Sequence, residues 1–207
     1  EILDAIKIKE ITIDNYLTKK YSQAVYVQLD VLEYNKRKDG QVLDFVNFVN
    51  HPLAYESDFE RFTKVSDIYF AGHFHANNAP MILTKEMLNA SDCKLKVVAD
   101  ISCDVNGPIA CTVRSSTIED PLYGYFPLED REVDFFHPAA VAVMAVDNLP
   151  CEIPKDASEG FGEQFMEHVI PAFFNGDKNG ILKRAKITEN GKLTERFSYL
   201  QDYVDGK

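Results

Sequence analysis

The stretch Leu95-Lys96-Val97-Val98-Ala99-Asp100-Ile101-Ser102-Cys103-Asp104-Val105-Asn106-Gly107 decides how this chain folds. Leu95 to Ile101 is rich in β-branched and apolar side chains and reads as a buried strand. Asp100, Ser102 and Asp104 stand at or just past its end. Val65 to Gly72 (VSDIYFAG) reads as the preceding strand, and Thr84 to Ala90 as the helix between them, with Thr84 as its N-cap. Further upstream, Ala24 to Leu32 (AVYVQLDVL) predicts another buried strand ending near Asp30. Ile13 to Tyr21 predicts a short helix, Asn35 to Gly40 a polar turn, and the segment Asn50 to Lys64 a helix after Pro52. Strands alternating with helices predict an α/β fold, a parallel sheet with helices on both faces.

After Asp104 the texture changes. Gly107-Pro108 and the aromatic-rich Asp120 to Pro127 read as loops. Ala139 to Val146 (AAVAVMAV) is a strand or a helix, because a run of that length fits both. Asn148-Leu149-Pro150, followed by Pro154, predicts a turn. Ser158 to Phe174 predicts an amphipathic helix whose Phe161, Phe165, Val169 and Phe173 face a core. Lys178 to Lys186 predicts a helix, Thr188 to Gly191 a turn, and Thr194 to Val204 a terminal helix.

The chain has 207 residues, 45% of them hydrophobic and 27% charged, which suffices for a buried core. Its 33 acidic against 22 basic residues give a net charge of -11, the opposite of a nucleic-acid binder. No apolar run approaches the roughly 18 residues of a membrane span. The four cysteines, Cys93, Cys103, Cys111 and Cys151, form no CxxC pair, which argues against a zinc site or a disulfide scaffold. These features predict a cytoplasmic protein with reduced thiols. Glu1 to Ile6 reads as the end of a helix with neither methionine nor N-cap before it, so the expectation is that upstream sequence has been cut away.

Ligands of doubly wound sheets sit beyond the carboxyl ends of the strands. An acid such as Asp30, ending a strand there, accepts hydrogen bonds from ribose hydroxyls and repels the extra phosphate of NADP. A Gly-rich GxGxxG loop belongs about 20 residues before such an acid. Among ten glycines the only GxG is Gly160 and Gly162, inside the Ser158–Phe174 helix. His73 and His75 form an HxH pair, but no carboxylate stands at ligand spacing, so a loop lining a cofactor cleft is the better reading than a metal site. Asp104, held at a cleft rim by the Asn106-Gly107 turn, is able to orient an amine or a nicotinamide; on residue chemistry alone a turn cap is the better reading. Cys103 has no basic partner and is a poor nucleophile.

Several segments then resemble one group of enzymes in order along the chain. Val98 to Asp104 is similar to the V-x-D-[IV]-[SA]-x-D segment of lysine-forming saccharopine dehydrogenases, lysine-ketoglutarate reductases and the alanine dehydrogenase and transhydrogenase group. Cys111 to Pro121 resembles the reductase's T-T-I-E-x-P stretch, and Asn77 to Thr84 its N-T-P-x-L-L-T loop. Val146-Asp147-Asn148-Leu149-Pro150 and Pro154 to Ser158 are similar to the D-[NH]-L-P and P-x-[ED]-A-[ST] segments, and Lys186 to Leu193 with Tyr199-Leu200-Gln201 continues the likeness. It runs from about Val42 onward.

The resemblance implies an incomplete Rossmann-like domain at 1–146 and a C-terminal segment at 147–207 that returns to an absent substrate domain. It implies NAD as cofactor and hydride transfer at a C–N bond, with saccharopine, or lysine plus 2-oxoglutarate, as the small-molecule partner. Nucleic acid and membrane are not expected partners, and an oligomer is compatible with the resemblance. It carries Asp104 over as a catalytic residue, Asp30 as the ribose-binding acid, and Ala71, Gly72, His73, Ile101, Ser102, Cys103 and Asp104 as the cofactor lining. Glu119 lies in a matching motif without an assigned role. The family's acid–base lysine and histidine belong to the absent part, and neither His73 nor His75 matches them. An alanine dehydrogenase-like enzyme and a non-catalytic nucleotide-binding remnant are the alternatives. The 207 residues alone are expected to be inactive.

Overall fold

The strand built from the deciding stretch, Val97–Asp100, lies inside a five-stranded sheet of the computed structural model. The structure describes residues 2–73, 75 and 78–207. Glu1, Phe74, Ala76 and Asn77 lie outside the described residues, and with them the first residue of the expected opening helix and parts of the 72–78 and 77–84 segments. The chain divides into two compact units, Glu1–Leu149 and Pro150–Lys207.

In the first unit the strands are β1 (Lys9–Glu10), β2 (Val25–Tyr26), β3 (Asn35–Arg37), β4 (Tyr55–Ser57), β5 (Ile68–Ala71), β6 (Val97–Asp100), β7 (Leu122–Phe126), β8 (Arg131–Val133) and β9 (Val141–Met144). The large sheet has the order β5-β6-β9-β7-β8. β5, β6 and β9 run parallel, with Tyr69 opposite Val98 and Val98 opposite Val143. β7 and β8 are antiparallel, so the sheet is mixed and not the parallel sheet expected. The apolar run 139–146, open between strand and helix, is a strand at the centre.

β7 corrects the reading of Asp120 to Pro127 as a loop. Tyr123 and Tyr125 alternate onto one face and are both buried, and their hydroxyls donate to the Cys111 carbonyl at 2.9 Å and to Asp130 at 2.8 Å. Gly124 between them faces the chain's return, where an added Cβ would lie 2.5 Å from the Asp134 carbonyl oxygen. The flanking prolines and acids hid a strand whose period depends on that glycine.

The expected strand Ala24 to Leu32 is also corrected. Only Val25–Tyr26 is extended, and it pairs in parallel with β1, outside the large sheet. Asp30 therefore does not end a strand of that sheet. It sits in a turn: its carboxyl accepts Val31 N–H at 2.5 Å, Glu33 accepts Asp30 N–H at 2.6 Å, and Glu33 N–H donates to the Asp30 carbonyl at 2.9 Å. Such local side-chain bonds compete with a strand ladder.

Between residues 35 and 64 three expectations change. Asn35–Arg37 is not turn but strand, paired with Tyr55–Ser57. The helix expected across Asn50 to Lys64 is broken into a 3-10 turn Pro52–Ala54, strand β4 and a short helix Glu60–Thr63. Tyr55 donates to Asn47 at 3.0 Å and Ser57 to the Ile82 carbonyl at 2.7 Å, long-range bonds that hold this segment extended. The helix Phe45–Asn50, capped by Asp44 on Asn47 N–H at 2.7 Å, escaped the pattern. Thr12 and Thr84 cap the helices Ile13–Thr18 and Lys85–Asn89.

In the second unit the expected continuous helix is interrupted. α-Helix Pro154–Gln164 passes into a π-helical turn, Phe165–Val169, before Ile170–Phe174. Pro171 has no N–H to continue the regular ladder, and Ile170 N–H reaches back to the Phe165 carbonyl. Phe161, Phe165 and Phe173 are exposed, contrary to the expected core-facing stripe, and Ala172 is the buried residue of these helices. Strands β10 (Thr188–Glu189) and β11 (Lys192–Leu193) form a hairpin about Asn190 and Gly191, both at positive φ, as an Asn-Gly turn favours. The expected terminal helix is a 3-10 segment, Glu195–Leu200, kinked at Phe197, then Gln201–Val204. Among the described residues no helix is long and apolar enough to cross a membrane.

The core lies on the sheet and beneath the segments that follow β5 and β6. Leu83, fully buried, forms a parallel bridge with Ile109. Leu83→Ala is expected to cost about 2–5 kcal/mol, as for other buried leucines. Urea titration checks this: the midpoint falls while the slope stays unchanged.

Candidate functional site

Because β5, β6 and β9 run parallel, their carboxyl ends reach the same edge of the sheet. The residues after them are Gly72 and His73, Ile101 to Asp104, and Ala145 to Asp147. This is the edge at which open α/β sheets bind ligands.

Asp100 ends β6 and is completely buried. One carboxyl oxygen accepts Ser102 N–H at 3.1 Å and the Ser102 hydroxyl at 2.6 Å. The other accepts the buried Thr112 hydroxyl at 2.6 Å. The loop that leaves Asp100 is strained: Cys103 has φ 48° and Asn106 φ 58°. Left-handed non-glycine residues cost on the order of 1–3 kcal/mol each and persist only where their surroundings impose them. The loop closes through Gly107 N–H to the Asp104 carbonyl at 2.9 Å. A Cβ at Gly107 would lie 2.6 Å from Asp104 Cβ, so glycine is required for this approach. Ile82 and Leu83 donate to the Pro108 carbonyl, and Ala110 to the Leu83 carbonyl, which ties the loop after β6 to the segment after β5.

The structure brings His73, Cys103 and Asp104 together and adds Asp100 and Asp147. Burial lowers the His73 pKa; Asp100 and Asp104 oppose that shift, and His75 adds to it. Both His73 ring nitrogens are buried without a hydrogen-bond partner among the described residues. The His75 ring stands 6.3 Å away, nearly perpendicular, with Nε2 3.3 Å from the Pro80 carbonyl oxygen. Among the described residues no group of three or more His, Cys, Asp or Glu side chains is arranged to hold a metal. Burial pushes the Cys103 thiol up, and Asp100, Asp104 and Asp147 push it further, so it is no thiolate nucleophile at neutral pH. Asp104 is exposed at the rim. Ala71 is buried beneath it in β5, opposite Asp100, and Ile101 is exposed. Asp30 spends its hydrogen bonds within its own turn. Glu119 is exposed on the segment after Ser116 and makes no polar contact among the described residues.

Sequence placed Asp100 at the strand end on the ligand side without giving it a role, and Thr112 and Asp147 escaped as members of the site. A signal was present for two of them: aspartate followed two residues later by serine is an Asx-turn pattern, and Asp147 directly follows an apolar run. Nothing local links Thr112 to Asp100. An edge bearing carboxyl groups and an unbonded imidazole suits ligands that donate hydrogen bonds (hydroxyl, carboxamide, amine) and disfavours phosphate.

Comparison with known proteins sharpens this. No family model matches the chain. It is 27% identical to the alpha-aminoadipic semialdehyde synthase of Arabidopsis thaliana over 205 residues, 94% of the chain. It is 24% identical to the mitochondrial alpha-aminoadipic semialdehyde synthase of Rattus norvegicus over 227 aligned positions, 97% of the chain. With the NAD(+), L-lysine-forming saccharopine dehydrogenase of Schizosaccharomyces pombe it shares 31% over 130 residues, 60% of the chain. The homologues of this chain are alpha-aminoadipic semialdehyde synthases and saccharopine dehydrogenases. The chain spans 19%, 24% and 33% of the length of these three relatives.

His73 makes a pH test of the site. Its pKa in the fold lies below the usual value near 6.5, so the unfolded chain takes up the proton first as pH falls. Its contribution to stability is therefore present above about pH 6.5 and declines as pH drops toward the folded pKa. Urea midpoints at pH 7.5 and pH 5 are expected to differ less for His73→Gln than for the parent; an equal difference would show that His73 does not titrate this way.

Proposed function

We propose that this chain is the C-terminal portion of an NAD-dependent oxidoreductase of the lysine-forming saccharopine dehydrogenase type, acting at a C–N bond. The observation that carries the reading is its likeness to saccharopine dehydrogenase and alpha-aminoadipic semialdehyde synthase over 60–97% of the chain. In that reading residues 1–146 are part of a dinucleotide-binding domain and 147–207 a segment returning to the substrate domain. The strand order supports an incomplete Rossmann-like sheet. In the doubly wound order 3-2-1-4-5-6, strands β5, β6 and β9 take the places of 4, 5 and the next strand. Strand 1 would then lie on the outer side of β5, which is the edge strand of the sheet, and the 24–32 segment would pair beyond it.

The residues fit a nicotinamide cofactor in one testable respect: the His73 imidazole is buried with both nitrogens free of described partners, and so has hydrogen-bonding capacity for a bound group. Bound NAD supplies the hydride acceptor or donor. The chain's own residues bind and orient. Ala71, Gly72 and His73 line the cofactor side; Ile101, Ser102 and Cys103 line the nicotinamide side. Asp104, at the rim, orients the amine of the substrate. Asp30 takes the ribose hydroxyls, an assignment that requires the 24–32 segment to join the sheet of the whole protein.

The test is NADH oxidation by the full-length protein with 2-oxoglutarate plus lysine against pyruvate plus ammonia. Turnover with the first pair alone is expected; turnover with the second alone moves the substrate to alanine, and silence with both removes the reading. The isolated 207 residues are expected to turn over neither pair. Asp104→Ala is expected to lower kcat at least tenfold with NADH affinity unchanged, and an unchanged kcat would leave Asp104 a turn cap. Asp30→Ala is expected to narrow the preference for NAD over NADP, read from the ratio of their kcat/KM values.

A further inference from the structure

Asp100 is a polar group buried at a strand end, in a place where an apolar residue would pack without needing partners. Its two oxygens are spent on Ser102 and Thr112, so it ties together both ends of the excursion that carries Cys103, Asp104 and Asn106. Cys103 and Asn106 of that excursion have left-handed backbone, which asparagine tolerates and cysteine adopts only under outside restraint. The Asn106 N–H reaches the Thr112 carbonyl at 3.4 Å, and the Gly107 N–H the Asp104 carbonyl at 2.9 Å, so the restraint at Thr112 is connected to the rim.

We propose that Asp100 is the positioning residue of this site, locking Ser102 and Thr112 so that the loop after β6 holds Asp104 at the rim. The proposal rests on the reading of Asp104 as the substrate-orienting group. It adds that Asp104 owes its place to a carboxyl group whose two oxygens are bonded to Ser102 and Thr112.

Three variants test it: Asp100→Ala, Asp100→Asn and Thr112→Val. Asparagine keeps an oxygen for Ser102 and presents an amide that the Thr112 hydroxyl is able to accept by rotating. The first readout is amide hydrogen exchange at Gly107, whose own bond does not involve Asp100, against Val143 in β9 as internal reference. Thr112→Val is expected to speed Gly107 exchange at least tenfold with Val143 unchanged, Asp100→Ala more so, and Asp100→Asn to stay within about threefold of the parent. Should Asp100→Ala fail to fold, Thr112→Val carries the test. Unchanged Gly107 exchange in Thr112→Val overturns the proposal.

The second readout is turnover by the full-length protein. Thr112→Val is expected to lower kcat and leave the NADH KM unmoved, and to have no further effect in an Asp104→Ala background. Additive losses overturn positioning through Asp104. Loosened Gly107 without any turnover in the parent keeps the lock and removes the enzyme reading. Turnover with an unaltered loop keeps the enzyme and removes the lock.

Discussion

A carboxyl group taken out of water must find partners for both oxygens, and at Asp100 this requirement organises the edge of the sheet. Ser102 and Thr112 satisfy it from opposite ends of one loop. The strand is buried because its neighbours β5 and β9 cover both of its edges. The loop beyond it bends in a left-handed conformation at Cys103 and Asn106. Those backbone angles and the close approach of Gly107 to Asp104 are tolerable because the ends of the loop are tied.

The same edge gathers the groups that bear chemistry. Parallel strands end together, so His73 after β5, Asp104 after β6 and Asp147 after β9 come to one side without being near in sequence. Burial disfavours the charged form of His73 while the acids beside it favour that form, and the first effect is the larger. The Cys103 thiol is raised by burial and by every acid around it, which removes it from consideration as a nucleophile. The edge is thus rich in acceptors and holds the His73 imidazole, whose nitrogens have no hydrogen-bond partner among the described residues.

The antiparallel pair β7 and β8 completes the sheet by a different device. Tyr123 and Tyr125 fill one face of β7, and Gly124 admits the returning chain on the other. Arg114 lies over the Tyr123 ring at 4.6 Å and binds Glu132 of β8 at 2.8 Å, so the segment after Thr112 is fastened to this pair. Lys85 pairs with Asp130 at the hairpin turn, which links the helix after β5 to the far side of the sheet. These contacts join the loop after β6 to strands that carry no candidate chemistry.

Local sequence determined the elements whose pattern and boundaries agree. The runs at 65–72 and 95–101 became β5 and β6, Thr12 and Thr84 capped helices, and Asn190-Gly191 made a hairpin turn. Each depends on bonds between near neighbours or on simple burial of a short apolar run. The ordered likeness from about Val42 to Gln201 was also legible, because a motif is a property of the chain itself. What needed the tertiary structure were the features made by distant partners. Residues 122–126 became a strand because β8, β9 and the Asp134 carbonyl surround them, and residues 55–57 because Asn47 and Ile82 hold their side chains. Residues 27–32 left the strand pattern because among the described residues β2 has only β1 to pair with, and the turn bonds of Asp30 then prevail. Asp100 carried no sign in sequence that Thr112 would meet it, because their contact exists only once the loop has closed.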